Sequence, residues 1–335
     1  MILILSQELD VTTNKVIDWL DYYKISYYRF NGSQLNFDND ISLDITNLSS
    51  KCYTNLPFDP KNISVVWYRR WGNYSSKETF SNEPNFKYLD ETFLNYIRSE
   101  YKSVSYSFFS LFKDSYWLSD PPRHRNEDKF YYLKLAQKFN IKIPQSFVFN
   151  NLKSLTEVLK NEGSLITKSL FEASKIKIKD KSFIPYTSKI GLNDLNDLPE
   201  RFFPTLFQKN IQKKYEIRSF YLDGEFYSMA IFSQGDKKTE VDFRRYNHQK
   251  PNRYIPYELP STLISKLQNL LKNEGIVTCS IDIIKSTDND YYFLEINQVG
   301  QFSMTSLPCN YNLEKIIAEF LIKKSKKNVK KQICN

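Results

Sequence analysis

The stretch DIIKSTDNDYYFLEIN, Asp282 to Asn297, decides how this chain is read. Two apolar runs flank a polar tip, the pattern of a β-hairpin. A two-residue turn at Asp288-Asn289, or a four-residue loop from Thr287 to Asp290, sets Tyr291 opposite Ser286 and Glu295 opposite Asp282. Side chains alternate along a strand, so Glu295 and Asn297 share a face, and direct pairing adds Asp282 to it. Like charges placed opposite each other destabilise a sheet. Two carboxylates and an amide oxygen on one face form a hard donor set suited to magnesium, which keeps several waters and takes further ligands from phosphates. A surface hairpin with solvated acids is the alternative. Ile281, Ile283, Leu294 and Ile296 favour a buried sheet, where unpaired acids are costly.

The chain has 335 residues, length for two or three packed domains, and its 41% hydrophobic content supplies a sizeable core. The formal net charge of +9 owes much to KKSKKNVKKQ, Lys323 to Gln332, which reads as a solvated, disordered end. No nucleic-acid reading module accompanies that charge, so the expected partners are anionic nucleotides or an acidic peptide. Cys52, Cys279, Cys309 and Cys334 are scattered and fit neither a zinc site nor a disulfide framework. With only two histidines, His124 and His248, a His-rich metal centre is excluded. Cys309 has no histidine near it in sequence and reads as a small packed residue, not a nucleophile. MILILSQ lacks the features of a signal peptide and no apolar run reaches membrane-spanning length, so a cytoplasmic protein is expected.

The fold class expected is α/β (α+β). MILILS, KISYYRFN, ISLDI and SVVWYRRW read as strands, with helices at 14–23 and 91–110, and together suggest an N-terminal α/β domain over residues 1–118 with a partly parallel sheet. In WYRRW the arginines read as snorkelling from a core strand, or as part of a docking surface for a peptide. LSDPPRHRNEDKF breaks the pattern. A central domain over 119–204 carries a helix at 127–139, SFVFN, a helix at 152–161, SLITKSL and KIKIKD, and closes on Pro199 to Pro204. A β-rich domain over 205–323 holds TLFQKNI, a hairpin turning on Asp223-Gly224, VDFRRY, a helix at 261–273, the Asp282–Asn297 hairpin and a last helix at 312–323, before the tail at 324–335.

A magnesium-holding hairpin needs groups that bring phosphate. Lys129 opens a helix and Lys168 lies mid-strand in LITKS; each either snorkels outward or pairs with an anion. LFQKNIQKKYEIRSF offers an apolar slot from Leu206, Phe207 and Ile211, with Glu216 able to accept from ribose hydroxyls and Arg218 on the same face if the segment is a strand. No P-loop or GxGxxG occurs.

The ordered set of a helix lysine, a strand lysine, Q-x-x-I, E-x-R and an Asp/Glu-x-Asn hairpin resembles the ATP-grasp fold. WYRRWG, KKYEIRSFYLDGEFYSMAIFSQ, VDFRRYN, FLEINQVGQF and PCNYNLEK resemble more narrowly the grasp-with-spasm peptide maturases among the graspetide (microviridin-type) synthetases. The resemblance spans residues 1 to 323. It implies a pre-ATP-grasp N-terminal domain, with Lys129 and Lys168 on ATP phosphates and Gln208, Lys209, Asn210 and Ile211 as the adenine hinge. It also implies Glu216 on the ribose and Asp282, Glu295 and Asn297 on two magnesium ions. Arg218 would neutralise charge at the transferring phosphoryl, and Asp242-Phe243-Arg244 resembles the D-x-R element that engages peptide. The glycine-free SLFEASK after Lys168 and Lys209-Asn210 in the hinge depart from the family's usual pattern. Arg218, Arg244 and Arg245 are candidates for gripping substrate carboxylates bidentately, with an exposed basic edge as the alternative for Arg244 and Arg245.

The activity implied is ATP-dependent activation of Asp or Glu side chains of a ribosomal precursor peptide, leader plus acidic core. Ser, Thr or Lys side chains then attack, closing ω-ester or ω-amide macrocycles. The alternative is an ATP-grasp ligase adding amino acids to a protein tail. Neither a nucleic-acid nor a membrane partner is expected, and the resemblance implies a homodimer or homotetramer.

Overall fold

Ile2 to Ser6 are all buried, which a strand achieves only when both faces of its sheet are covered, as in parallel sheets. In the computed structural model, which describes residues 1–35, 56–71, 90–121, 129–170, 176–178 and 181–333, this strand, β1, is central. It pairs in parallel with β2 (Tyr27–Asn31) and β3 (Val65–Tyr68), and β3 pairs in parallel with β4 (Tyr116–Leu118), giving the order β2-β1-β3-β4. Helix α1 (Val11–Tyr22) starts where Asp10 accepts hydrogen bonds from the Thr12 and Thr13 amides at 3.1 and 3.3 Å. From α2 (Glu91–Ser110) and the turn after it, Phe108, Phe109 and Phe112 pack on Leu3, Leu5 and Val66. Arg69 does not snorkel: it is 3% exposed, 4.0 Å from the Asp10 carboxylate, and burial pulls its guanidinium down to about 10.

The chain divides into two compact units, Met1–Pro122 with Asn312–Asn335, and Arg123–Tyr311. The C-terminal helix, Leu313–Ile333, packs on α1, β1, β3 and β4 and belongs to the first unit, whereas the sequence reading placed 312–323 in the last domain. The stretch expected to be disordered from 324 continues as helix through Ile333. ISLDI, His124, Cys52 and Cys334 lie outside the described residues.

The second unit is built on α3 (Lys129–Lys138), β5 (Ser146–Asn151), α4 (Leu152–Glu162), β6 (Ser164–Lys168), β7 (Ile176–Ile178), β8 (Lys181–Phe183), β9 (Ser188–Gly191), β10 (Arg201–Lys209), β11 (Lys213–Leu222), β12 (Glu225–Phe232), β13 (Arg253–Tyr257), α5 (Ser261–Asn273), β14 (Thr278–Ser286), β15 (Tyr291–Asn297) and α6 (Ser303–Cys309). β5-β10-β6-β9 form one antiparallel sheet, β13-β12-β11-β14-β15 a second, and β7-β8 a ribbon. Leu155 and Leu159 of α4 cover one face of the first sheet at Leu165 and Phe207. Helices α3 and α5 cover one face of the second, through Leu133, Ala136, Leu267 and Leu271 on Ile217, Ile281, Ile283, Phe293 and Ile296. The 204/205 boundary expected from the prolines falls inside β10, which belongs to the first sheet. Asp223 and Gly224 turn the β11-β12 hairpin with φ of 47° and 110°, the double positive φ of a type I′ turn.

Strand β14 runs straight between two bulged neighbours. On β15 the pairs Ile283 with Phe293 and Asp282 with Glu295 leave Leu294 as an extra residue. On β11 the pairs Tyr215 with Lys285 and Lys213 with Ser286 leave Lys214 as an extra residue. A bulge re-aims the side chains beyond it. Without these two, Glu295 and Lys213 would face the apolar core of Ile281 and Ile283; with them, both join Asp282 on the opposite face. The hairpin tip also differs from expectation. Ser286 N–H donates to Asp290 O at 2.9 Å around a three-residue loop in which Asn289 has φ of 67°. The sequence register was one residue off at the tip, and the Leu294 bulge restores it at Glu295.

VDFRRY, read as strand-like, is irregular. Asp242 accepts from the Arg244 amide at 3.0 Å through its side chain, and its carbonyl accepts from the Arg245 amide at 3.0 Å, so the chain turns there.

Candidate active site

The face of the second sheet opposite α3 and α5 lines a cavity of about 540 Å³, shared with residues of the first sheet. Lys129, Lys168, Gln208, Lys209, Asn210, Ile211, Glu216, Arg218, Arg244, Asp282, Glu295 and Asn297 all line it. Arg245 does not: its Nη2 donates to Ser188 Oγ at 2.9 Å and its guanidinium lies 5.3 Å from the Tyr186 ring centre. The segment 210–212 joins β10 to β11, so the expected hinge is the crossing between the two sheets. In that hinge the Gln208 amide donates to Ser146 Oγ at 2.8 Å and Asn210 Nδ2 to Ser164 Oγ at 3.2 Å. The Lys209 side chain pairs with Glu162 at 2.8 Å.

Asp282 and Glu295 stand opposite each other, as expected, but neither is a free acid. Arg218, directly across β14 from β11, donates Nη1 to both Asp282 oxygens at 3.0 and 3.1 Å and Nη2 to Gln301 Oε1 at 3.4 Å. Lys129 and Lys168 lie 3.4 and 3.8 Å from Glu295 Oε2, and Lys129 also donates to the Ser169 carbonyl at 2.9 Å. Asn297 Nδ2 is 3.5 Å from Asp282 Oδ2. Cross-strand repulsion is therefore answered by three cations from α3, β6 and β11.

These neighbours separate the two acids electrostatically. Burial pushes the Asp282 carboxyl up to about 6; Arg218 pulls it down, while Glu295 and Glu216 push the same way as burial. Burial also opposes the Glu295 charge, but Lys168, Lys129, Arg244 and Arg218 outweigh it and hold that carboxyl at about 2. Burial lowers the Lys168 ammonium against the pull of Glu295. Glu216 is raised by burial, opposed by Lys213, whose Nζ lies 2.5 Å from Glu216 Oε1.

Asp242 is 4% exposed and binds Arg244 bidentately, Nε to Oδ1 at 2.9 Å and Nη2 to Oδ2 at 2.7 Å, while the Thr187 amide donates to Oδ2 at 3.0 Å. Arg244 bonding and proximity hold Asp242 below its usual range against burial. The sequence reading assigned no role to Lys213 or Thr187. Lys213 carried a signal, K-x-x-E ahead of the E-x-R; Thr187 acts through its amide and carried none.

Among the described residues no group of three or more His, Cys, Asp or Glu side chains gathers as a metal cluster. The donor set is instead two carboxylates and one amide, both acids lining the cavity with side chains 17% and 22% exposed. Such a set fits magnesium that retains waters and phosphate ligands, and does not fit a closed protein cage.

No family model and no curated protein matches the chain. Solved structures do. A Chryseobacterium gregarium RiPP-associated ATP-grasp ligase, in complex with ADP and a leader and core peptide, superposes with a TM-score of 0.82 at 26% identity, covering 96% of each chain. The macrocyclase MdnC from Microcystis aeruginosa MRC, bound with precursor peptide MdnA, gives 0.76 at 24% identity over 96% of this chain and 99% of that one. The ATP-grasp ligase PsnB, complexed with minimal precursor, Mg and ADP, gives 0.76 at 17% identity over 97% of each chain. The fold is that of the ATP-grasp ligases. Within that fold the chain is similar to a RiPP-associated ligase at 26% identity, the group its sequence resembles.

Proposed function

We propose that the protein is an ATP-dependent ligase that activates Asp or Glu side chains of a ribosomally made precursor peptide and links them to Ser, Thr or Lys side chains, closing macrocyclic esters or amides. The observation that carries this reading is the single sheet face on which Asp282 and Glu295 meet Lys129, Lys168 and Arg218, beside the crossing at 210–212. The RiPP-associated ligase with ADP, leader and core peptide supports it at 26% identity.

ATP is the co-substrate. Gln208 to Ile211 frame the adenine, Glu216 accepts from the ribose hydroxyls, and Lys129 and Lys168 exchange Glu295 for phosphate oxygens. Asp282, Glu295 and Asn297 hold magnesium, two ions in this reading, which supplies charge neutralisation at the phosphates. A substrate carboxylate and the γ-phosphate repel each other; Lys168 and Arg218 offset that repulsion as the phosphoryl group transfers. Arg218 is 5% exposed and held on Asp282, so it acts from behind that carboxylate. Arg244, with its side chain 48% exposed at the cavity, is the candidate to grip a peptide carboxylate. The hydroxyl or amine then attacks the acyl-phosphate and phosphate leaves. Holding both ends of one peptide supplies the proximity. The ester, the dimeric or tetrameric state and cytoplasmic location belong to this reading; no helix among the described residues is long and apolar enough to cross a membrane.

Intact-mass analysis of a co-expressed acidic precursor tests it. Loss of one water per link is expected; gain of amino-acid mass would replace macrocyclisation with tail ligation, and an unchanged mass would overturn both.

A further inference from the structure

Lys213 occupies a position its sequence spacing does not give it. Residues three apart on a regular strand face opposite sides, so Lys213 and Glu216 would point apart. The bulge at Lys214 brings them to one face. There the Lys213 side chain is 9% exposed, and its Nζ reaches Glu216 Oε1 at 2.5 Å and the Val241 carbonyl at 3.1 Å. Val241 precedes Asp242, whose carboxylate fixes Arg244 at 2.9 and 2.7 Å and takes the Thr187 amide at 3.0 Å. One buried ammonium therefore bridges the carboxylate on β11 and the backbone of the irregular segment that presents Arg244.

We infer that Lys213 is a positioning residue that fastens the Arg244-bearing segment to the wall carrying Glu216, so that the nucleotide side and the peptide side of the cavity are held by a shared contact. This deepens, and rests on, the reading of the cavity as a nucleotide-and-peptide site. A hydrogen bond from a charged donor to a part-buried carbonyl is among the stronger ones, and among the described residues no other hydrogen bond joins Val241 to β11. Arg244 gains its orientation from Asp242, and Lys213 ties the segment to β11 while the Thr187 amide and Ser188 hold it from the β9 side.

The test compares Glu216→Gln, Lys213→Met/Glu216→Gln and Lys213→Arg in the full chain. The readouts are amide hydrogen exchange over 242–246 and Mg·ADP binding. Glu216→Gln keeps the bridge to Val241: ADP affinity falls by about tenfold while exchange over 242–246 stays within about twofold of wild type. Lys213→Met/Glu216→Gln removes the bridge without stranding a buried acid: exchange there rises about tenfold, with ADP affinity like that of Glu216→Gln. Lys213→Arg, long enough to span both acceptors, restores protection. Equal exchange in the double variant and Glu216→Gln would overturn the inference. Should the double variant not fold, Lys213→Gln serves; wild-type protection in it would overturn the inference too. Absence of Mg·ADP binding to the wild-type chain would remove the nucleotide reading and leave the exchange comparison intact.

Discussion

Asp282 and Glu295 face each other across β14 and β15, yet they answer to different cations: Arg218 holds the first and Lys129 with Lys168 the second. Arg218 is buried behind its partner, whereas the two lysines come from α3 and from the C-terminal end of β6, an inner strand of the other sheet. The acid pair is thus a junction where helix, first sheet and second sheet meet.

Glu295→Gln keeps the size of the side chain and removes the charge that gathers Lys129 and Lys168. Peptide-dependent ADP release is expected to fall at least a hundredfold, on the order of 3 kcal/mol of lost stabilisation. Circular dichroism is expected to match wild type. Retained ADP release would count against the site.

Arg218→Ala strands the Asp282 carboxyl beside Glu295. Removing one partner of a buried pair costs about 3 kcal/mol, and denaturant unfolding should show a loss of that order. Arg218→Lys keeps the charge but not the planar fork, so a smaller loss is expected. An unchanged midpoint in Arg218→Ala would contradict the pairing.

Burial lifts Asp282 to about 6, so the ligand-free chain protonates this group as pH falls from 7 to 5. Magnesium needs the ionised form, and Mg·ADP affinity should therefore weaken over that window. The effect on the ligand-free fold has the opposite sign. A carboxyl raised above its unfolded value of 3.8 destabilises the ionised fold, so this group's contribution improves as pH drops through 6 towards 4. Titration calorimetry on wild type and Asp282→Asn checks it; the variant should lose that part of the pH dependence.

Deleting Leu294 removes the β15 bulge but makes Phe293 and Glu295 neighbours on a regular strand, so Glu295 still pairs with Asp282 on the cavity face. Mg·ADP binding is expected to survive the deletion, as it should in Leu294→Ala. Loss of Mg·ADP binding in a deletion variant whose circular dichroism matches wild type would show that Glu295 is not carried by this register.

Where placement follows residue alternation, the sequence carried it: the Asp282–Glu295 pairing and the shared face of Glu216 and Arg218 were legible. Bulges were not, because an extra residue leaves no mark in apolar spacing. The correct register at Glu295 came from a tip loop of the wrong length. VDFRRY has the composition of a strand, but the Asp242 side chain competes for the backbone and wins. β13 hid behind Pro256, which an edge strand tolerates, and α6 behind Pro308. Ion pairing of the acids was hidden for another reason: Lys129 and Lys168 are 166 and 127 residues away from Glu295, and no local pattern marks which cation a carboxylate meets.

The helix Leu313–Ile333 lies against β1, β3 and β4, strands made some two hundred residues or more before it. During synthesis the sheet emerges early and then waits, with Ile2 and Ile4 lacking their final cover, while Arg123–Tyr311 is produced and is free to fold. The ribosome thus completes the inserted catalytic unit before it releases the segment that finishes its host. A chain cut short after Tyr311 would retain every cavity residue and still leave a sticky, half-covered parallel sheet, making aggregation the first symptom of premature termination.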